Sequence, residues 1–255
     1  MKLFFRKYGH GHPLIILHGL FGQSDNWNTI GKHFSENGFE VYLVDQRNHG
    51  LSPHSEEWNY AATSNDILEI TNDNRLENII LLGHSMGGKS AMHFAIHNSE
   101  KISKLVVVDI APKKYPANND GVLDGLLSVD FEKIKSRKEV DEILSKHISD
   151  FGTKQFLLKN LFWEQEKKLG WRFNLDVLAK NRNLVGDSFD VENKFCDKPV
   201  LFLRGEKSKY ILDSDILEIK KLFPNAQLKT IEGAGHWIHI DKPKEFFQEV
   251  MNFIA

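Results

Sequence analysis

The stretch Leu81-Leu82-Gly83-His84-Ser85-Met86-Gly87-Gly88-Lys89 sets a serine between two glycines at the point where an apolar run gives out. A Gly-x-Ser-x-Gly sequence in that setting is the signature of a strained strand-to-helix turn that lifts the serine hydroxyl clear of a sheet. In such a turn Ser85 adopts an unfavourable backbone conformation, and a side chain at position 83 or 87 would collide with the neighbouring strand or helix. The flanks fit. Upstream, Asn78-Ile79-Ile80-Leu81-Leu82 is a short apolar run with β-branched residues, which predicts a parallel strand buried on both faces. Downstream, Met92, Ala95 and Ile96 fall on one face of a helix.

Similar apolar runs alternate with amphipathic stretches on either side. Pro13 to Leu17, Glu40 to Val44 and Lys104 to Val108 read as strands, and Trp27 to Asn37 and Tyr60 to Asn74 as helices, the first closed by Gly38. This alternation predicts an α/β fold with a mostly parallel sheet and helices on both faces. The run from Leu3 to Tyr8, followed by Gly9-His10-Gly11, is expected to form a hairpin with the next strand at the sheet edge. From Ala111 to about Val185 the strand signal disappears. Ser136-Arg137-Lys138-Glu139 reads as a capping box, and Val140, Ile143, Leu144, His147 and Ile148 then repeat at helical spacing. The β/α pattern resumes with a strand from Pro199 to Leu203, a helix from Asp213 to Phe223, a strand from Gln227 to Ile231 and a helix starting at Pro243. The expected division is a core of residues 1–110 and 187–255 with a helical cap, 111–186, over the carboxyl edge of the sheet.

A chain of 255 residues suffices for one such domain with its insertion. The formal net charge of −2 offers no electrostatic attraction to nucleic acid. The single Cys196 excludes an internal disulfide and a cysteine-rich metal site, which fits a reducing compartment. The opening apolar residues, Leu3-Phe4-Phe5, give way to charge too soon for a signal-peptide core, and no later run reaches membrane-spanning length. The expectation is a cytoplasmic, soluble protein without membrane insertion, its oligomeric state open.

A serine hydroxyl is a weak nucleophile, so Ser85 needs a base within reach and the base needs an anionic partner. His236, in Gly233-Ala234-Gly235-His236-Trp237, follows the last strand and satisfies the chain order serine, acid, histidine. His239 is its nearest rival and reads as surface or cap-facing. For the acid, the loop after the penultimate strand carries Ser208 where an aspartate is usual. Asp109, directly after the apolar strand Val106-Val107-Val108, is favoured over Glu206 and Asp213. Backbone amides of Met86 and of the loop His18-Gly19-Leu20-Phe21-Gly22, Leu20 first and Phe21 second, are the expected oxyanion donors. His18 itself is expected to brace that loop, and Asp45 to Ser52 to order the neighbouring ones. Lys89 reads as an exposed lysine, with a substrate carboxylate as the alternative partner. Phe162 and Trp163, from an unusually aromatic stretch, and Trp237 are expected to wall an acyl site.

With those residues in view, the chain resembles the α/β-hydrolase superfamily over essentially its whole length. More narrowly, Gly83 to Lys89, Val107 to Pro112, Tyr115-Pro116 and Trp171-Arg172-Phe173-Asn174 are similar to the YbfF-type bacterial esterases and their mitochondrial relatives. The resemblance implies hydrolysis of small to medium acyl esters, extending to acyl thioesters, through Ser85, Asp109 and His236, with no metal or organic cofactor. The same fold also hosts carbon–carbon bond hydrolysis, perhydrolase or haloperoxidase activity, menaquinone-pathway lyase chemistry and non-catalytic ligand binding. Haloalkane dehalogenation would need a carboxylate where Ser85 stands.

Overall fold

The computed structural model describes residues 1–116, 121–165, 168–188, 191 and 194–255. In chain order the first half gives β1 (Phe5–Tyr8), β2 (His12–Leu17), α1 (Asn28–Glu36), β3 (Phe39–Val44), α2 (Tyr60–Asp73), β4 (Ile79–His84), α3 (Met86–His97) and β5 (Ile102–Val108). An inserted segment follows with α4 (Val122–Leu127), α5 (Arg137–Leu144), α6 (Phe151–Leu158), β6 (Leu161–Gln165), β7 (Lys168–Trp171), α7 (Leu175–Lys180) and α8 (Arg182–Val185). The chain then returns through β8 (Val200–Gly205), α9 (Ile216–Leu222), β9 (Ala226–Ile231), α10 (Ile238–Asp241) and α11 (Pro243–Ile254). Seven strands form one sheet in the order β1-β3-β2-β4-β5-β8-β9, parallel throughout except for β1.

Successive side chains of a strand point to opposite faces, and here both faces are covered. Ile15, Leu17, Leu81, Leu105, Val107 and Phe202 join one core with Met92 and Ala95 of α3, while Leu14, Ile16, Leu82, Val106, Leu201 and Leu203 join a second with Phe34 and Phe246. Each such fully buried side chain contributes about 1.5–3 kcal/mol relative to exposure. These layers hold the carboxyl ends of β4, β5 and β8 in register. A third cluster, with Leu126, Val140, Leu144, Leu157, Leu169 and Phe173 of the inserted segment, reaches Phe21, Trp58 and Met86 on the sheet side.

Two expectations are corrected. β1 and β2 do not pair as a hairpin: β1 runs antiparallel to β3, with Phe5 opposite Val44, and β2 lies on the other flank of β3. The turn explains it. Gly9 and Gly11 have φ of 70° and 118°, and a Cβ at these positions would fall 2.6 Å from Phe39 O and 2.1 Å from Gly38 O. The chain therefore crosses closely over the start of β3, and the two strands land on either side of it. The inserted segment is also not purely helical. β6 and β7 form an antiparallel hairpin, Leu161 opposite Trp171 and Trp163 opposite Leu169, inside the aromatic stretch. No helix among the described residues is long and apolar enough to cross a membrane.

Candidate active site

Ser85 stands between β4 and α3 with φ 53° and ψ −120°, a conformation that costs a non-glycine residue of order 1–3 kcal/mol. Its neighbours are glycines for lack of space. A Cβ at Gly83 would lie 2.2 Å from Gly87 O, and one at Gly87 would lie 2.5 Å from both Leu17 O and His18 O. The turn is fastened to the next strand by Ser85 N donating to Val108 O at 3.0 Å. The Ser85 side chain makes no capping bond to α3 and borders a cavity of about 370 Å³.

Asp109 follows β5 at φ 51°, fully buried, its amide donating to Leu203 O at 2.8 Å. Gly205 N donates to its Oδ1 at 3.1 Å, and His236 Nδ1 donates to its Oδ2 at 2.7 Å. The Ser208 hydroxyl also donates to Oδ2. Three donors compensate a carboxylate that burial would otherwise penalise. The rival acids are engaged elsewhere. Glu206 accepts from Gly233 N at 2.8 Å, and Asp213 accepts from Arg204 Nη1 at 2.6 Å with its side chain 81% exposed. Ser208 is the residue whose part sequence reasoning missed: it was noted only as the place where an acid is lacking, yet it binds the acid that came from β5.

In a neutral imidazole whose Nδ1–H is directed at Asp109, Nε2 of His236 is the acceptor. His236 borders the same cavity as Ser85. The ring stacks on Tyr210 at 4.0 Å, and its backbone carbonyl accepts from His84 Nε2 at 2.9 Å. No hydrogen bond joins the Ser85 hydroxyl to the imidazole among the described residues. Active-site hydrogen bonds of this kind commonly tighten only when substrate is in place. The other buried rings nearby are held neutral: burial pulls His18 down to about 4, His49 and His239 to about 3, and His84 well below its ordinary value. His239 is not on the surface as expected. It is buried and stacked on Trp27 at 4.0 Å.

Of the three expected oxyanion donors, Phe21 is excluded by its own bond. Its amide donates to His49 Nε2 at 3.2 Å, an acceptor because His49 Nδ1 donates to Arg47 O at 2.9 Å. Leu20 and Met86 both border the cavity, and Met86, as the first residue of α3, carries an amide with no acceptor within the helix. His18 braces this loop, accepting from Gln46 N at 3.0 Å while Gln46 Nε2 donates to His18 O at 2.6 Å. In the Asp45 to Ser52 motif, Asp45 accepts from Ser24 N and Leu51 N, and Arg47 forks onto Asp66 at 2.6 and 2.9 Å. None of its residues borders the cavity.

The cavity wall is mostly apolar, with Phe156, Leu157 and Leu178 from the inserted segment and Ile110, Tyr210 and Trp237, while Thr153 and Arg182 also border it. Phe162 and Trp163 lie outside it. They belong to the β6–β7 hairpin, where Arg172 covers the Phe162 ring at 4.7 Å and Trp163 is half exposed. Lys89, expected to be exposed, is fully buried at the cavity wall. Among the described residues no cluster of three or more His, Cys, Asp and Glu could hold a metal ion.

A parallel sheet with a glycine-walled serine turn, an Asp–His pair at the same edge and an insertion before β8 defines an α/β hydrolase. The chain belongs to that family: the alpha/beta hydrolase fold family matches residues 12–243. It is 33% identical to esterase YbfF of Escherichia coli, over 95% of this chain and 92% of that protein. It is 39% identical to the sn-1-specific diacylglycerol lipase ABHD11 of Mus musculus, over 95% of this chain and 80% of the other. The solved structure of a marine microorganism esterase superposes with a TM-score of 0.96 at 42% identity, covering both chains completely.

Proposed function

We propose that the protein is a serine ester hydrolase that works through an acyl-enzyme on Ser85. The observation that carries this reading is the 2.7 Å hydrogen bond from His236 Nδ1 to the buried Asp109 carboxylate, on the wall of the cavity that Ser85 borders. That bond fixes the tautomer in which Nε2 accepts a proton. As Ser85 Oγ attacks an ester carbonyl, His236 takes the hydroxyl proton, and Asp109 stabilises the resulting imidazolium. The Met86 and Leu20 amides face the oxygen on which negative charge develops. His236 then protonates the departing alcohol, and water repeats the cycle to release the acid. The apolar wall suits a small to medium acyl chain, and acyl thioesters fit the same sequence of steps. The names of the relatives, esterase and lipase, agree with this chemistry.

The test is an acyl-chain series of p-nitrophenyl esters beside acyl-CoA thioesters, with fluorophosphonate labelling of the purified protein. The wild type is expected to turn over short and medium esters and to be labelled at Ser85, and Ser85→Ala to lose both. Full activity in Ser85→Ala would end the assignment. A wild type that is neither labelled nor active would favour non-catalytic ligand binding.

A further inference from the structure

Lys89 lies in the first turn of α3, four residues beyond Ser85, and its side chain is fully buried. Its Nζ donates to Lys113 O at 2.9 Å, Gly186 O at 3.0 Å and Asp187 O at 2.5 Å. The first carbonyl belongs to the strand of chain that rises from β5 into the inserted segment, and the other two to the strand that descends from α8. An ammonium has three N–H donors, and three carbonyls among the described residues match that number, so these bonds compete with any substrate carboxylate. The two strands also bond to each other, Tyr115 N donating to Gly186 O at 2.7 Å, and Tyr60 OH on α2 donates to Val185 O at 2.6 Å. Tyr115 OH in turn donates to Tyr210 O, and the Tyr210 ring stacks on His236.

We propose that Lys89 is a positioning residue that clasps both ends of the inserted segment to α3, and so sets how well the cavity wall fits a substrate's acyl chain. The substrate part of this inference rests on the ester-hydrolase reading above. Hydrogen bonds from a charged donor contribute more than neutral ones, and an apolar side chain here would take one bond from each of three carbonyls, Gly186 O keeping the one from Tyr115 N. A neutral amine keeps two N–H groups for the three carbonyls, so the clasp slackens on the alkaline side. Burial pulls the ammonium down to about 7, with Asp187 opposing. Among the described residues the groups around it include the Tyr60 and Tyr115 rings at 5.9 and 4.9 Å, and Asp187, itself 3.3 Å from Lys114. Lys113 Nζ is engaged by Asp215, while Arg182 and His236 border the same cavity.

The experiment compares wild type, Lys89→Met and Lys89→Ala on p-nitrophenyl acetate and octanoate, with amide exchange followed at Tyr115. In both variants KM for octanoate is expected to rise about tenfold more than KM for acetate, and Tyr115 exchange to accelerate. Propylammonium should restore the octanoate KM in Lys89→Ala and not in Lys89→Met. Equal losses of kcat on both esters, with KM and Tyr115 exchange unmoved, would overturn the proposal. If the variants do not fold, the wild type decides. Its ratio of octanoate to acetate KM should climb between pH 6 and 9, effects of pH on the shared chemical step cancelling in the ratio, and a flat ratio refutes the clasp. If the wild type shows neither turnover nor labelling, the ester reading fails by itself, and Tyr115 exchange in Lys89→Met still tests the clasp.

Discussion

The sheet edge that carries Ser85, Asp109 and His236 differs from the inserted segment facing it in how position is enforced. At the edge, two residues sit at positive φ between fully buried strands, and each is pinned by a backbone bond to the adjacent strand: Ser85 N to Val108 O, Asp109 N to Leu203 O. The inserted segment is made of helices four to eight residues long and a short hairpin, packed in a cluster that takes in Phe21, Trp58 and Met86 of the sheet side. Hydrogen bonds add to that contact. Asn160 Nδ2 donates to Phe21 O at 2.8 Å, and Lys89 holds the two ends. Strained backbone persists only where the surroundings over-determine it, so groups that need fixed geometry belong at the edge. Short helices outside the layers of the sheet can shift by small amounts, which suits a wall that accommodates a chain.

If the edge carries the chemistry, the largest effect should come from its acid. Asp109→Asn keeps the shape of the side chain and is expected to lower kcat on a p-nitrophenyl ester about 10³–10⁴-fold, because His236 loses the partner that fixes its tautomer. KM should move little. A loss below tenfold would transfer the role to another carboxylate and remove the contrast between the two regions.

The next effect is on stability in acid. His18, His49 and His239 all lie on the sheet side, and burial depresses each of them to about 3 or 4. A depressed imidazole leaves the unfolded chain binding more protons below its ordinary value near 6.5, so stability is intact above that value and falls as the pH drops towards 4. Between pH 7 and 4 each ring accounts for at most about 3 kcal/mol. Urea midpoints between pH 7 and 4 would measure the fall, and His49→Gln, which retains an acceptor for Phe21 N, should make it shallower. An unchanged slope would mean that His49 is protonated in the fold and that Phe21 N has lost its acceptor.

A smaller loss is expected from Gly87→Ala, about 2–3 kcal/mol, because the added methyl meets two backbone carbonyls that cannot yield. The position also shows why this region was legible in the sequence. Strands buried on both faces leave continuous apolar runs, and a turn with no room for a Cβ leaves glycines, so β4, β5, β8 and the Ser85 turn can be found from residue type alone. What was not legible depends on contacts between residues far apart in the chain. The partner of β1 is decided by where Gly9 and Gly11 cross β3. Lys89 is buried because three carbonyls, 24 to 98 residues further on, converge on it. The β6–β7 hairpin buries Leu161, Leu169, Gly170 and Trp171 while Trp163, Glu164 and Lys168 are exposed, and so short a pattern does not separate from the helical spacing on either side.

The hairpin supplies the smallest prediction and the finest test of the contrast. Trp163 was expected to wall the acyl site because large aromatics in an insertion are the usual lining of such cavities. Its placement argues otherwise: it sits opposite Leu169, 51% of it is exposed, and the wall is supplied instead by Phe156, Leu157 and Leu178. Trp163→Ala should therefore leave KM for every ester in the series within twofold and stability within about 0.5–1 kcal/mol, as for a surface cross-strand pair. Phe156→Ala in the same background removes a ring that packs on Trp237 at 4.5 Å, and it should raise KM for the longer acyl chains several-fold with kcat on acetate less affected. If the two substitutions changed KM alike, the hairpin would have to fold over the cavity when substrate binds, and the inserted segment would move as a lid instead of yielding locally around the chain.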